Sequence, residues 1–189
     1  MTEFNRPIRE SYWVQPGRFL AGEYPSAAYI GRARERLGKL LESGINTFID
    51  LTTPNELPPY EPLLLEQAGL RGLEVHYHPF TILDRSIPPR ATMTTILDAI
   101  DSSLAGGRNI YLHCWGGIGR TGTTVGCYLV RHGLTGVQAL AHIAEWWKDV
   151  PKSAYYPRSP ETDRQVEFIM KWEENSAFPT LIPDPLASP

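Results

Sequence analysis

The sequence predicts an α/β domain: a mostly parallel central sheet with helices on both faces. Two patterns carry that reading. Short apolar runs of strand length, TFIDL (47–51), LEVHYHPF (73–80) and NIYLH (109–113), alternate with segments whose apolar residues recur at helical spacing. The last of these runs passes through a glycine-rich loop straight into another helical segment. In sheets of this kind ligands bind where strands end and such loops begin.

The elements follow in order. Residues 11–24 read as short extended pieces around a Pro16-Gly17 turn. Ser26 is expected to cap a helix running to about Ser43, with Ala33, Leu37, Leu40 and Leu41 on one face and Gly44 at its end. After the first strand, residues 52–62 are a polar, proline-rich loop, and a short helix over 62–69 closes at Gly69. TILDRSIPPR (81–90) is a loop after the second strand. Pro88 and Pro89 fit the first turn of the next helix, which buries Ile96, Leu97, Ile100 and Leu104 and stops at Gly106-Gly107. A helix from about Arg120 to His132 follows the glycine-rich loop. Thr135 and Gln138 form a capping-box pair for a helix to about Lys148. Ser159 and Pro160 open a last helix, with Glu161 and Asp163 in its first turn, where the helix dipole favours acids. Residues 1–175 are expected to form one domain and 176–189 a Pro-rich, irregular tail.

Composition narrows the partners. The 189 residues suit a single core. A net charge of −3, with Lys and Arg scattered, argues against a nucleic-acid partner. The polar N-terminus shows no secretory signal, and no run approaches the roughly 18 apolar residues of a membrane span. Only Cys114 and Cys127 are present, so no disulfide framework is implied and a reducing, cytoplasmic setting is expected. For either thiol the plain expectation is a small buried hydrophobe.

The stretch His113-Cys114-Trp115-Gly116-Gly117-Ile118-Gly119-Arg120-Thr121-Gly122 changes that expectation for Cys114. Hydrolysis of a phosphate ester needs many donors around a dianion. Backbone N–H groups at a helix N-terminus supply them, three glycines let the loop curl, and Arg120 adds a planar fork for two oxygens. The candidate phosphate-binding set is therefore Trp115, Gly116, Gly117, Ile118, Gly119 and Arg120. A thiol beside a cation and a helix N-terminus is expected to fall to somewhere in the range of about 3.5 to 7.5, a ready nucleophile at neutral pH. Thr121 offers a hydroxyl to the sulfur when it leaves, and His113 can bond nearby backbone and fix the loop.

The stretch resembles the signature of the protein-tyrosine and dual-specificity phosphatase superfamily: His-Cys, five residues, Arg, then Ser or Thr. The resemblance implies the family fold and a two-step route through a phosphocysteine on Cys114. It also implies a general acid on a loop about 30 positions before the Cys, a role that falls to Asp84, although Leu83 precedes it and the Trp-Pro-Asp triplet of tyrosine phosphatases is absent. Asp50, at a strand end on the same edge, is the second candidate. Thr162-Asp-Arg-Gln165-Val-Glu-Phe168 resembles the family's glutamine-bearing segment, which makes Gln165 the candidate to position water. No metal or other cofactor is called for, since Arg120 and backbone amides take that place.

Other readings compete. Residues 117–122 also spell G-x-G-x-x-G between strand and helix, but a dinucleotide site would want a further strand ending in an acid, where 134–148 reads as helix. A P-loop NTPase requires Lys where Thr123 stands. A rhodanese-like sulfur carrier does not ask for the Arg-Thr ending. A Cys in a tight glycine turn without chemistry and a phosphate-binding pseudophosphatase are the bland alternatives. Arg18 and Glu56 are candidates to border the pocket or brace Arg120, with a plain surface charge as the alternative. Trp115 can wall the pocket or turn into the core. Trp146 and Trp147 read as helix packing, Asp98 and Asp101 as solvated acids, and Cys127 as core, with an oxidative disulfide to Cys114 as the alternative. The uncharged residues 115–119 favour a phosphorylated protein or peptide substrate, phosphotyrosine and also phosphoserine or phosphothreonine, over a phosphoinositide or small molecule.

Overall fold

The computed structural model describes residues 6–174; the Pro-rich tail falls outside them. Five strands form one sheet: β1 (Ser11–Gln15), β2 (Phe19–Gly22), β3 (Thr47–Asp50), β4 (His76–Pro79) and β5 (Ile110–His113), in the order β1-β2-β5-β3-β4. Only β1 runs antiparallel to its neighbour; β2, β5, β3 and β4 are parallel. The expected fold class is the observed one. Pro16-Gly17 makes the β1–β2 turn: the N–H of Arg18 donates to Gln15 O (3.0 Å), and Gly17 sits at φ 71°, the left-handed geometry a type II turn requires at that position.

Six helices cover the sheet: α1 (Ile30–Glu42), α2 (Glu61–Gly69), α3 (Arg90–Ala105), α4 (Gly119–Arg131), α5 (Gly136–Lys148) and α6 (Asp163–Met170). The period-2 alternation of β5 decides which face each packs on. Tyr111 faces α1 and α2, among Leu20, Leu37, Leu40, Phe48 and Leu64. Ile110 and Leu112 face the other way, into the larger cluster with α3 to α6, among Met93, Ile96, Val125, Ile143 and Ile169. Adjacent strands β3 and β5 therefore send their following helices, α2 and α4, to opposite faces. The chain parts there, and the crevice at the strands' carboxyl ends is where a ligand can enter.

Several boundaries differ from expectation, each for a local reason. Helix α1 starts at Ile30 with Tyr29 as an N-cap that makes no side-chain bond, and Ser26 does not cap it. Residues 28–30 are exposed and gain no burial from helical form. Strand β4 is shorter than 73–80, because β3 offers only Thr47 to Asp50 to pair with His76 to Pro79. Pro89 is the N-cap of α3 rather than part of its first turn. Helix α6 begins at Asp163 behind Thr162, not at Ser159-Pro160, since the Ser159 hydroxyl is spent on Ile118 O (2.8 Å). Asp98 and Asp101 are not merely solvated: both pair with Arg131 at 2.9 Å, and Asp101 also meets His132 at 2.8 Å. The capping box of Thr135 and Gln138 is present as expected.

Candidate active site

Strand β5 ends at His113 and α4 begins at Gly119, so Cys114 to Ile118 must turn the chain within five residues. The loop carbonyls are held from outside. Trp115 O accepts from the Tyr24 N–H (2.9 Å), Gly116 O from Lys152 Nζ (3.1 Å) and Ile118 O from Ser159 Oγ (2.8 Å). Gly119 O accepts from Thr123 Oγ1 (2.8 Å). A trans peptide carries its N–H opposite its C=O. The N–H groups of Gly116, Gly117, Gly119 and Arg120 therefore point the other way, toward the inside of the curl. Gly117 sits at φ 74°, and a Cβ there would lie 2.5 Å from the carbonyl carbon of Gly22, so this position admits only glycine.

Cys114 is 2% exposed at the base of the loop. Thr121, one turn into α4, donates its hydroxyl to the Cys114 sulfur at 3.1 Å. Arg120 is 1% exposed and folds back over the sheet edge. Its Nη1 donates to Glu56 Oε2 (2.8 Å), Ile82 O (3.1 Å) and Leu51 O (3.4 Å). Its Nη2 reaches Glu56 Oε1 at 2.6 Å and Asp84 Oδ1 at 3.0 Å. The Nε–H is buried and has no protein acceptor. A buried donor left without a partner is costly, and a phosphoryl oxygen would satisfy it. Burial works against the Arg120 charge, but the bonds to Glu56 and the nearby Cys114 and Asp84 outweigh it and hold the guanidinium protonated. In return Arg120 draws Glu56 down to about 2, from an ordinary 4.5.

The structure brings the predicted residues together. Asp84 stands at the mouth of the site with its side chain 56% exposed. Gln165 is fully buried. Its Oε1 accepts from Thr162 N (3.1 Å) and its Nε2 donates to Ser86 O (3.1 Å), tying α6 to the loop that carries Asp84. A Cβ on Gly119 would come within 2.9 Å of Gln165 Nε2, so the amide lies directly against the signature loop. His113 bonds the local backbone as expected. The Cys114 carbonyl, which can only accept, lies 3.2 Å from Nδ1, so that nitrogen carries the proton, and Nε2 takes the Tyr60 hydroxyl at 2.7 Å. Burial pushes His113 below its ordinary range despite Asp50 nearby. Trp115 is 56% exposed and does not join the core. Trp147 and Cys127 are core residues.

Two candidates separate from the site. Arg18 lies before β2, at the opposite edge of the sheet, where it bonds Leu104 O (2.6 Å) and Arg108 O. Asp50 is 5% exposed and accepts from Thr52 N (2.8 Å), Thr52 Oγ1 (2.7 Å) and Tyr77 OH (2.8 Å), turned away from Arg120. Glu56, weighed as a brace, is one. No local signal points to Tyr24, Lys152 and Ser159, whose bonds to the loop carbonyls join positions 36 to 91 residues apart. Among the described residues no group of three His, Cys, Asp or Glu side chains is placed to hold a metal ion.

Comparison with known proteins agrees with this geometry. Human cyclin-dependent kinase inhibitor 3 is 31% identical over 93 residues, 49% of this chain and 43% of that protein, so the match spans less than half of the relative's length. The solved structure of Tk-PTP in its active form superposes with a TM-score of 0.62 at 24% identity, over 88% of this chain and 98% of that one. PTPMT1 in complex with PI(5)P gives a TM-score of 0.61 at 17% identity, over 82% and 90%. Both share the fold. The family model "Polymorphic toxin system, DSP-PTPase phosphatase" matches residues 26–134, from the lead into α1 through the signature loop and α4. With more than half of the chain matched and the site assembled around Cys114 and Arg120, this chain belongs to the DSP-PTPase phosphatase family.

Proposed function

We propose that the chain hydrolyses phosphomonoesters on proteins, phosphotyrosine foremost and also phosphoserine or phosphothreonine, through a phosphocysteine on Cys114. The observation that carries this is the Thr121 hydroxyl 3.1 Å from the Cys114 sulfur, at the start of a helix whose second residue, Arg120, keeps a buried Nε–H without a protein acceptor. Inward N–H groups and the free Nε–H of Arg120 receive the equatorial phosphoryl oxygens. A phosphoryl dianion competing for Nη2 releases Asp84 from Arg120. The sulfur then forms the S–P bond as the P–O ester bond breaks, and the leaving oxygen takes its proton from Asp84. In the second step Gln165 orients a water and Asp84 takes its proton; the water oxygen forms a P–O bond as the P–S bond breaks, inorganic phosphate leaves, and Thr121 meets the departing thiolate. Residues 115–119 carry no charge, which supports a phosphoprotein substrate over a highly anionic lipid, although the PTPMT1 structure holds PI(5)P on the same fold.

The test is release of phosphate from para-nitrophenyl phosphate and from phosphopeptides. Wild type is expected to turn over both, and Cys114→Ser to fall to background while still binding phosphopeptide. An inactive wild type that binds phosphopeptides would replace the enzyme with a binding module. A preference for phosphoinositide over every phosphopeptide would move the substrate class.

A further inference from the structure

Beside the signature loop lies a second cavity of about 310 Å³, at the small end of ligand pockets. Its wall is the chain from Thr52 to Tyr60 apart from Glu56, with Tyr24, Asp50, Tyr77, Pro79 and the exposed Thr81 completing it. The cavity adjoins the catalytic centre through shared chain. Glu56, inside that wall segment, turns out to Arg120 (2.6 Å); Leu51, just before it, accepts from Arg120; and Tyr24 N bonds Trp115 O (2.9 Å).

The lining has a definite chemistry. Tyr24 and Tyr77 each meet Tyr60 edge to face, with centroids 5.5 Å apart and planes at 83° and 88°. Tyr60, perpendicular to both its neighbours, joins them into an aromatic wall. Asp50 lines the same cavity. The carboxylate is buried, and the donors it accepts from, Thr52 and Tyr77, are neutral. The nearest imidazole, His113 with Nε2 at 3.9 Å, is held neutral by its burial, with Nε2 facing the Tyr60 hydroxyl. No Lys, Arg or His lines the cavity. The Asp50 charge is felt at all three rings, where it adds to burial in raising their hydroxyl pKa values. A buried carboxylate without a cation is costly, and the faces of aromatic rings attract cations.

We propose that this cavity binds an alkylammonium or guanidinium group, and that in a phosphopeptide substrate the group is a Lys or Arg side chain flanking the phosphorylated residue. The cation sits against the tyrosine rings with its charge toward Asp50, while the phosphoryl group enters the Cys114 loop next door. The peptide part of this inference rests on the phosphatase reading; the cavity part does not.

Two arms test it. In the first, butylguanidinium and its neutral isostere butylurea are titrated into the full chain and followed by NMR. Wild type should bind the cation at least tenfold more tightly, and Asp50→Asn, nearly isosteric, should lose that difference. Thr81→Lys, an exposed substitution that brings a competing cation to the cavity edge, should lose it as well and guards against misfolding of the first variant. Equal affinity for the two probes, or no binding of the cation, overturns the proposal. In the second arm, matched phosphopeptides carry Arg or citrulline at each flanking position. One position should show a kcat/KM ratio of at least ten in favour of Arg in wild type and near one in both variants; the ratio cancels any general loss of activity. Cation binding without such a position would assign the cavity to a free organic cation. Peptides left uncleaved by a wild type that still binds butylguanidinium would sink the phosphatase reading and spare the cavity.

Discussion

The loop from Cys114 to Ile118 and the loop from Thr81 to Pro89 leave the same sheet edge and both reach Arg120, yet they are held in opposite ways. In the first, Cys114 and Ile118 are buried and three carbonyls, of Trp115, Gly116 and Ile118, are bonded by side chains or backbone from other parts of the fold. In the second, Leu83 is 68% exposed and Arg85 takes a left-handed φ of 56°. That loop is tied to the segment around α6 by Arg85 with Glu161 (3.0 Å) and by Gln165 on Ser86 O. The difference matches the two tasks. A group that stabilises charge must be oriented before the reaction and gains from exclusion of water. A group that moves a proton must approach and withdraw, which an exposed loop on a few tethers permits.

Substitutions can break or sharpen that contrast. The largest effect is expected at the open loop. Asp84→Ala should slow hydrolysis of a phenyl phosphate with a poor leaving group by about 10²–10⁴-fold. It should leave para-nitrophenyl phosphate far less affected and the denaturation midpoint unchanged. Equal losses on both substrates would remove Asp84 from the acid's role. Next comes the held loop. Gly117→Ala must adopt positive φ and clash with Gly22, so it should cost about 1–3 kcal/mol of stability together with activity, read by urea unfolding. A variant with wild-type stability would mean that the loop is less constrained than its contacts indicate.

The smallest effect concerns the brace between the two loops. The hydrogen bonds from Arg120 draw Glu56 down to about 2 in the folded chain, against an ordinary 4.5. A depressed folded value contributes stability that is fully present above about 4.5 and is lost as pH falls through about 2. Wild type should therefore lose stability across that window by more than Glu56→Gln does, in urea midpoints measured against pH. Parallel curves for the two proteins would show that the ion pair with Arg120 adds nothing net.

Much of this was legible in the sequence where it is local. The strand before Cys114, the glycines after it and the capping box at Thr135 involve neighbours within about one helical turn, whereas the start of α6 at Thr162 rather than Ser159 follows from Ser159 reaching Ile118 O. Helix α1 starts at Ile30 rather than after Ser26 because residues 28–30 are exposed and gain no burial from helical form, which depends on the folded path of the chain. The same holds for Glu56. Its sequence context, a polar proline-rich loop, reads equally as surface, and only the approach of Arg120 from 64 residues away gives it a partner.

By itself the sequence determined the alternation of strands and helices and the chemistry of one loop, because periodicity, glycine conformation and the Cys-to-Arg spacing act over short range. The tertiary structure decided what surrounds that loop. It set β5 between β2 and β3, so that α2 and α4 part to opposite faces. It pinned the loop carbonyls with Tyr24, Lys152 and Ser159, and it set Asp50 beside an aromatic wall. Those contacts, the tyrosine wall beside Asp50 among them, follow from which elements pack together, and local spacing along a chain carries no record of that.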